Sequence, residues 1–122
     1  MPDRVREDPL PFVEDIVIAI DRILTFTSGM TRKDFGADIK TQDAVIRNLE
    51  VIGEAVKNLP ATFKEQHPEV PWVRMAGMRD KLIHHYFGVS LDITWTTVTE
   101  DIPAVRPVLT DLEKRLKEWN DC

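Results

Sequence analysis

The sequence predicts an all-α domain, an antiparallel bundle of four main helices, or of five if a proline divides the last one. Three observations predict this fold class. Apolar residues recur at helical spacing in four long segments, no segment alternates polar and apolar residues over the length of a strand, and only 5 of the 122 residues are glycine. A chain of this length suits one domain, so residues 1–122 are expected to form a single unit.

The first predicted helix runs from about Leu10 to Phe26. Pro9 and Pro11 lie at its start, where proline is tolerated because the first N–H groups of a helix have no partner within it. Ser28 and Gly29 form a stop signal. The apolar stripe of this helix is expected to be Phe12, Val13, Ile16, Ile20, Ile23 and Leu24.

The second predicted helix runs from about Thr41 to Leu59, after a polar segment in which Phe35 is the expected apolar anchor. Thr41 is the expected N-cap, and Pro60 ends the helix. Residues 61–66 are expected to add one short helical turn. The stripe of the second helix is Val45, Leu49, Ile52, Val56 and Leu59.

The third predicted helix begins at Pro71 and ends near Tyr86, where Gly88 terminates it. The last helical region begins after Ser90, which is the expected N-cap, and Pro103 is expected to kink or divide it. The inward residues are expected to be Trp72, Met75, Met78 and Leu82 in the third helix, and Ile93, Trp95, Val98, Ile102, Val105, Val108, Leu109, Leu112, Leu116 and Trp119 in the last region.

Composition excludes several classes of protein. The chain has 16 Lys and Arg against 21 Asp and Glu, a net charge of −5, so any contact with RNA requires a local basic patch. No apolar run approaches the roughly 18–20 residues that span a bilayer, and the N-terminus lacks an apolar signal core, so a cytoplasmic protein without a membrane partner is expected. The single Cys122 excludes an internal disulfide and a cysteine-based zinc cluster.

One short run differs from the ordinary bundle sequence around it. Between residues 71 and 88 the charged side chains are Arg74, Arg79 and Lys81 against Asp80, so the local charge is positive on an otherwise acidic chain. The run also contains two adjacent histidines, which add positive charge when they are protonated near neutral pH. This run is therefore the candidate for chemistry.

An arginine and a histidine, here Arg79 and His84, are the two types of side chain that suffice to cleave RNA without a metal ion. A guanidinium group suits a phosphate, and an imidazole can take or give a proton near neutral pH. The histidine would activate the 2′-hydroxyl against the neighbouring phosphate, and the arginine would stabilise the charge that develops on the phosphoryl oxygens. The products would carry a cyclic phosphate, and DNA would be inert.

Helix geometry limits how these residues meet. On an ideal helix Arg79 and His84 point about 140° apart, so they need long side chains, a distorted helix end or a second subunit to converge. This favours a symmetric homodimer in which two copies of the motif face one cleft. The adjacent His84 and His85 diverge by about 100° and are poorly placed to share one ion, so no metal and no other cofactor is expected.

A plainer interpretation also fits the same residues. Arg79, Asp80 and Lys81 are often a solvated helix face, and histidines near the end of a helix are favourable partners of its dipole. Tyr86 is then a half-buried packing residue. Residue types and spacing alone leave both interpretations open.

The arrangement Arg79-x4-His84-x-Tyr86 resembles the R-x4-H-x-Y motif of the HepT-like toxins in the HEPN superfamily, and Asp80 fits the polar residue favoured after the arginine. The resemblance implies a homodimeric, metal-independent endoribonuclease with Arg79 and His84 as its active site and Asp80 as a supporting residue. It also implies a MntA-type nucleotidyltransferase antitoxin, which silences the toxin by placing AMP on Tyr86.

The resemblance extends along most of the chain, from about residue 8 to residue 116, and implies an HEPN-like helical bundle. Residues 47–55 resemble the second-helix signature of the family, and residues 71–80 and 99–103 resemble two further segments. Three segments in the same order make the resemblance specific.

Several alternatives stay open. Arg47, Glu50 and Glu54 share a helix face, and an intrahelical salt-bridge ladder is favoured over a role for Glu54 or Asn48 in lining the cleft. The role of His85, in packing or in RNA contact, is not decided. A second function is a non-catalytic helical partner of a nucleotidyltransferase that binds nucleotide or substrate, and a third is a structural dimer without chemistry.

Overall fold

The structure, a computed structural model, describes residues 8–83 and 90–120, and within these ranges the chain is helical and contains no strand. The all-α prediction is confirmed. Among the residues that the structure describes, no helix combines the length and the apolar character needed to cross a membrane. In chain order the helices are α1 (Leu10–Thr27), α2 (Arg32–Gly36), α3 (Ile39–Asn58), α4 (Ala61–Gln66), α5 (Trp72–Ile83) and α6 (Leu91–Thr96), then a π-helical turn (Thr97–Asp101) and α7 (Ile102–Asn120).

The four longest of these helices form the bundle. Helix α1 packs against both α3 and α7, and α3 also packs against α5 on its other side. Connecting segments that the sequence pattern did not separate as helices, such as α2, add short helical turns to the predicted four or five. The side chains that are completely buried come from the predicted apolar stripes and from Phe35, and include Val13, Ile16, Ile20, Ile23, Val45, Leu49, Ile52, Met75, Ile102, Leu109 and Leu112.

The ends of the first two long helices agree with the sequence prediction in part. Helix α1 ends at Thr27, and Gly29 follows with a φ of 76°, a conformation that favours glycine. The prediction that Thr41 caps α3 is wrong. Asp38 is the N-cap, because its carboxylate accepts one hydrogen bond from the backbone N–H of Thr41 at 3.0 Å and another from the Thr41 hydroxyl at 2.8 Å.

Ser90 caps α6 as predicted, since its hydroxyl accepts a hydrogen bond from the N–H of Ile93. Pro103 does not divide the last helical region. The N–H of Ile102 donates to the carbonyl of Thr97, five residues earlier, and this π-helical turn joins α6 to α7. Proline has no N–H to continue the regular ladder, and the wider turn absorbs that defect without a break.

The buried face of α6 and of the π-helical turn includes two threonines, Thr94 and Thr97, besides the predicted Val98. Thr94 and Thr97 are buried because their hydroxyls donate to carbonyls four residues earlier, at 2.9 Å and 2.8 Å. The prediction that Ile93 and Trp119 point inward is wrong, since they are 39% and 78% exposed. Ile93 lies off the threonine stripe, and Trp119 lies in the last turn of α7, where no described helix covers it.

A matched pair of isoleucines on α1 tests the position of the core. Ile20→Ala should lower the free energy of unfolding by about 2–5 kcal/mol, because Ile20 is completely buried and the substitution leaves a cavity. Ile18→Ala should change it by about 0.5 kcal/mol or less, because Ile18 is 48% exposed. Urea unfolding measures both, and equal losses would contradict this packing.

The N-cap of α3 predicts a pH dependence. The hydrogen bonds from Thr41, the backbone one first, hold the pKa of Asp38 below its ordinary value of 3.8. A carboxyl with a lowered pKa in the folded state adds stability above its unfolded pKa and loses it as pH falls through the folded pKa. Asparagine caps a helix but carries no charge.

We therefore expect the stability difference between the parent and Asp38→Asn to shrink as the pH is lowered from about 6 to about 2. Urea unfolding across this pH range measures it. A difference that is constant with pH would show that the charge of Asp38 does not contribute.

Candidate active site

Helix α5 carries the first half of the candidate site. Arg79 lies on it one turn after Met75, which is completely buried, and Asp80 follows directly. The structure describes the helix at these two positions but not their side chains, and His84, His85 and Tyr86 lie outside the described residues. The convergence of Arg79 with His84 therefore stays a prediction.

The beginning of α5 is anchored by aromatic and apolar contacts. Trp72, in its first turn, is 7% exposed, and its indole N–H donates to the carbonyl of His67 at 3.0 Å. The ring of Phe63, on α4, lies against both side chains, with its centroid 4.6 Å from that of His67 and 6.1 Å from that of Trp72. Met78 is also buried, so one face of α5 is apolar along most of its described length.

An ion-pair network binds the connector before α5 to α7. The Glu69 carboxylate accepts a hydrogen bond from Arg115 at 2.9 Å and lies 3.3 Å from the Nδ1 of His67. Arg115 also donates to Asp111 within α7. The hydrogen bond from Arg115 is the main reason that the pKa of Glu69 is lowered from its ordinary value.

The structure also fixes the residues that follow the motif. Helix α6 begins at Leu91 behind its Ser90 cap, and Asp92 in its first turn accepts two hydrogen bonds from Arg32, at 2.8 Å and 2.5 Å. Arg32 belongs to α2, whose Phe35 ring packs 5.3 Å from that of Trp95. Helices α5 and α6, which precede and follow His84 and Tyr86 in the sequence, are therefore both anchored.

A second polar contact reaches α5 from the last helical region. Arg74 donates to Asp101, the last residue of the π-helical turn, at 2.5 Å. The sequence indicated no such pair, because the two residues are 27 positions apart and neither lies in a recognisable motif with the other. The contact depends on how the helices pack.

The polar face of α3 lines a groove of about 320 Å³ against α1. Arg47, Glu50 and Glu54 contribute to it, with Asp15 from α1. The favoured salt-bridge ladder of Arg47, Glu50 and Glu54 stays a prediction. Solvent at an open groove screens such pairs and makes them weak.

Asn48 does not belong to this groove. It is 7% exposed, and its amide group donates to the carbonyl of Ala44 in the same helix at 2.8 Å. Its described hydrogen bond is therefore local to α3. Over residues 8–83 and 90–120, no cluster of three or more His, Cys, Asp or Glu side chains is arranged to hold a metal ion.

An all-helical bundle together with an R-x4-H-x-Y sequence that begins on α5 is typical of the HEPN class of helical proteins. A model of the family described as "Ribonuclease HepT-like" matches residues 16–112, and the chain belongs to this family. The predicted resemblance is confirmed.

Named relatives agree with this assignment. The chain is 54% identical over 103 residues to "Probable ribonuclease HepT" of Thermococcus cleftensis, covering 84% of this chain and 94% of the relative. It is 48% identical over 112 residues to "Putative RNase MJ0127" of Methanocaldococcus jannaschii, covering 88% and 93%. It is 46% identical over 110 residues to "Putative RNase TTE0752" of Caldanaerobacter subterraneus subsp. tengcongensis, covering 90% and 92%. No solved structure matches the chain significantly.

Proposed function

We propose that this protein is the toxin of a toxin–antitoxin pair and that it is a metal-independent endoribonuclease. Arg79 and His84 form the active site, Asp80 supports it, and Tyr86 is the residue through which it is silenced. The observation that carries the proposal is the R-x4-H-x-Y spacing, which begins on α5 in a chain of the HepT-like ribonuclease family. The names of the relatives support the activity but say nothing of the antitoxin.

The proposed reaction is a transesterification within the RNA, in which the phosphorus exchanges its bond to the 5′-oxygen for a bond to the 2′-oxygen. The imidazole of His84 takes the proton of the 2′-hydroxyl, the 2′-oxygen bonds to the adjacent phosphorus, and the bond from phosphorus to the 5′-oxygen breaks. The imidazolium returns a proton to the 5′-oxygen that leaves. Arg79 stabilises the negative charge on the phosphoryl oxygens during this step. The ends are a 2′,3′-cyclic phosphate and a 5′-hydroxyl.

The proposed site is shared by two chains. On one helix Arg79 and His84 diverge, so a symmetric homodimer would place two copies of the motif around one phosphodiester. Apolar packing anchors α5, and α6 is anchored beyond the motif, so both helices next to the proposed cleft are supported. Such support is what a catalytic arginine requires to keep its position.

Silencing is proposed to act on Tyr86. The tyrosine oxygen attacks the α-phosphorus of ATP, the proton goes to solvent, and pyrophosphate leaves, so that AMP remains bound to the oxygen. The MntA-type nucleotidyltransferase catalyses this transfer. A bulky anionic nucleotide beside the cleft would repel the RNA backbone and block its entry.

The charge of the chain favours one second function. A net charge of −5 is unusual for a protein that binds RNA over a wide surface. A helical partner that binds nucleotide or substrate for a nucleotidyltransferase, without cleaving anything, would have no need of a basic surface. Such a partner would not arrest growth when it is expressed alone, whereas a ribonuclease toxin would.

The ribonuclease activity is tested on purified protein with single-stranded RNA and a chelator. Arg79→Ala and His84→Gln should each reduce cleavage by about 100-fold or more, because each removes a group that acts in the transition state. Arg106→Ala is the matched control for Arg79→Ala, since Arg106 pairs with Asp21 between α1 and α7 and this variant should cleave like the parent. If all three variants cleave alike, the site is assigned wrongly.

Silencing is tested by co-expression with a MntA-type nucleotidyltransferase. We expect mass spectrometry to show the added AMP on Tyr86 and the modified protein to cleave RNA about 100-fold more slowly than the unmodified one. Tyr86→Phe should not be modified and should escape silencing. An AMP group found on another residue would contradict the assignment of Tyr86.

A further inference from the structure

We propose that Arg74 and Asp101 are positioning residues of the ribonuclease and that their ion pair fixes the orientation of α5, and with it Arg79. The inference rests on the proposed function, because it concerns the helix that carries the proposed catalytic arginine. It assigns a role to the π-helical turn, which the proposed reaction does not use.

The first argument is the one-sided packing of α5. Among the described helices only α3 packs extensively against α5, through the face that contains Met75. A helix that is packed along one side can still tilt about that contact. Arg74 provides a second point of attachment, since its Nη2 lies 2.5 Å from the Oδ1 of Asp101 across a groove.

The groove around this pair is otherwise open. Arg74 and Asp101 border a cavity of about 170 Å³ that is also lined by Met78 and Val105, and another of about 320 Å³ that is also lined by Thr96. With space on both sides, the ion pair is the polar contact by which α5 reaches the π-helical turn. Loss of the ion pair would remove this contact between α5 and the π-helical turn.

The second argument is the burial of the carboxylate. The side chain of Asp101 is 17% exposed, whereas that of Arg74 is 67% exposed. A largely buried carboxylate requires a partner, because an unpaired charge that is removed from water destabilises the fold by more than the ion pair stabilises it. The position of Arg74 is therefore dictated by Asp101 more than the reverse.

The third argument explains the π-helical turn. In a regular α-helix Asp101 would follow Thr97 by one turn and Thr94 by two, so it would continue the buried stripe of α6. Ile102, whose N–H donates to the carbonyl of Thr97 in the wider turn, is completely buried, and Asp101 lies at the edge of the stripe. From this edge it reaches Arg74, and such turns are frequent at functional sites.

The distance to the motif makes the contact relevant to catalysis. Arg79 follows Arg74 by five residues, which is about 7.5 Å along the axis of α5. A small tilt at Arg74 therefore displaces the arginine that is proposed to contact the phosphate. A displacement of about 1 Å at a reacting group can reduce turnover by as much as about 100-fold.

The experiment compares Arg74→Gln, Asp101→Asn and the double variant in the full chain. Each should lower kcat by roughly 10- to 100-fold while KM changes by about twofold or less, because substrate contacts remain and only the geometry is altered. The double variant should be no slower than either single one, since the two residues act through one contact. Asp21→Asn is the matched control, because it removes a pair with Arg106 of 2.7 Å between α1 and α7, and should keep the parent kcat.

A readout without RNA separates this inference from the proposed function. Amide hydrogen exchange of residues 79–83 should be faster in Arg74→Gln and Asp101→Asn than in the parent and in Asp21→Asn, with exchange in α1 unchanged. If the parent does not cleave RNA, the proposed function fails, and the exchange rates still decide whether the pair orients α5.

Two results would overturn the inference while the ribonuclease stands. In one, Asp101→Asn keeps both the kcat and the exchange rates of the parent, which means that the pair does not position α5. In the other, Arg74→Gln raises KM and Asp101→Asn lowers it. Such opposite effects would mean that Arg74 binds RNA directly and that Asp101 competes for it.

Discussion

The candidate active site depends on the burial of one face of α5 against α3. Met75 is completely buried in this face, and Trp72 and Met78 are nearly so. Complete burial of a side chain of this size stabilises the fold by about 1.5–3 kcal/mol, whereas an exposed ion pair contributes about 0–1 kcal/mol. Apolar packing therefore decides where α5 lies, and the polar contacts described near its beginning can only adjust its orientation.

Several arginines away from α5 are held in ion pairs. The chain is acidic overall, and Arg32, Arg106 and Arg115 are each paired with carboxylates of another helix or connector. Paired arginines attract a phosphate backbone weakly, because their partners cancel much of the field. The proposed activity relies on the local positive charge around the motif, which suits a cleft that contacts a short stretch of RNA.

The sequence predicted the helices correctly where an apolar stripe marks them. It failed at the cap of α3 and at Pro103, where more than one local structure fits the same residues. Long apolar stripes located α1, α3 and the beginning of α5 to within a few residues, while the predicted end of α5 near Tyr86 lies outside the described residues. The cap of α3 was assigned to Thr41 because threonine is a common cap, but Asp38 offers two oxygens to the same residue. Pro103 signals a break, and the chain forms a π-helical turn there instead, since a wider turn keeps both neighbouring stripes in the core.

The sequence by itself determined the helical class, the membership of the HepT-like family and the identity of the candidate chemical groups, because periodicity and motif spacing are local properties of the chain. Only the tertiary structure decided that Thr94 and Thr97 are buried and that Arg74 meets Asp101. Each of these depends on which helix faces which, and that follows from the packing of the whole core rather than from any segment of it.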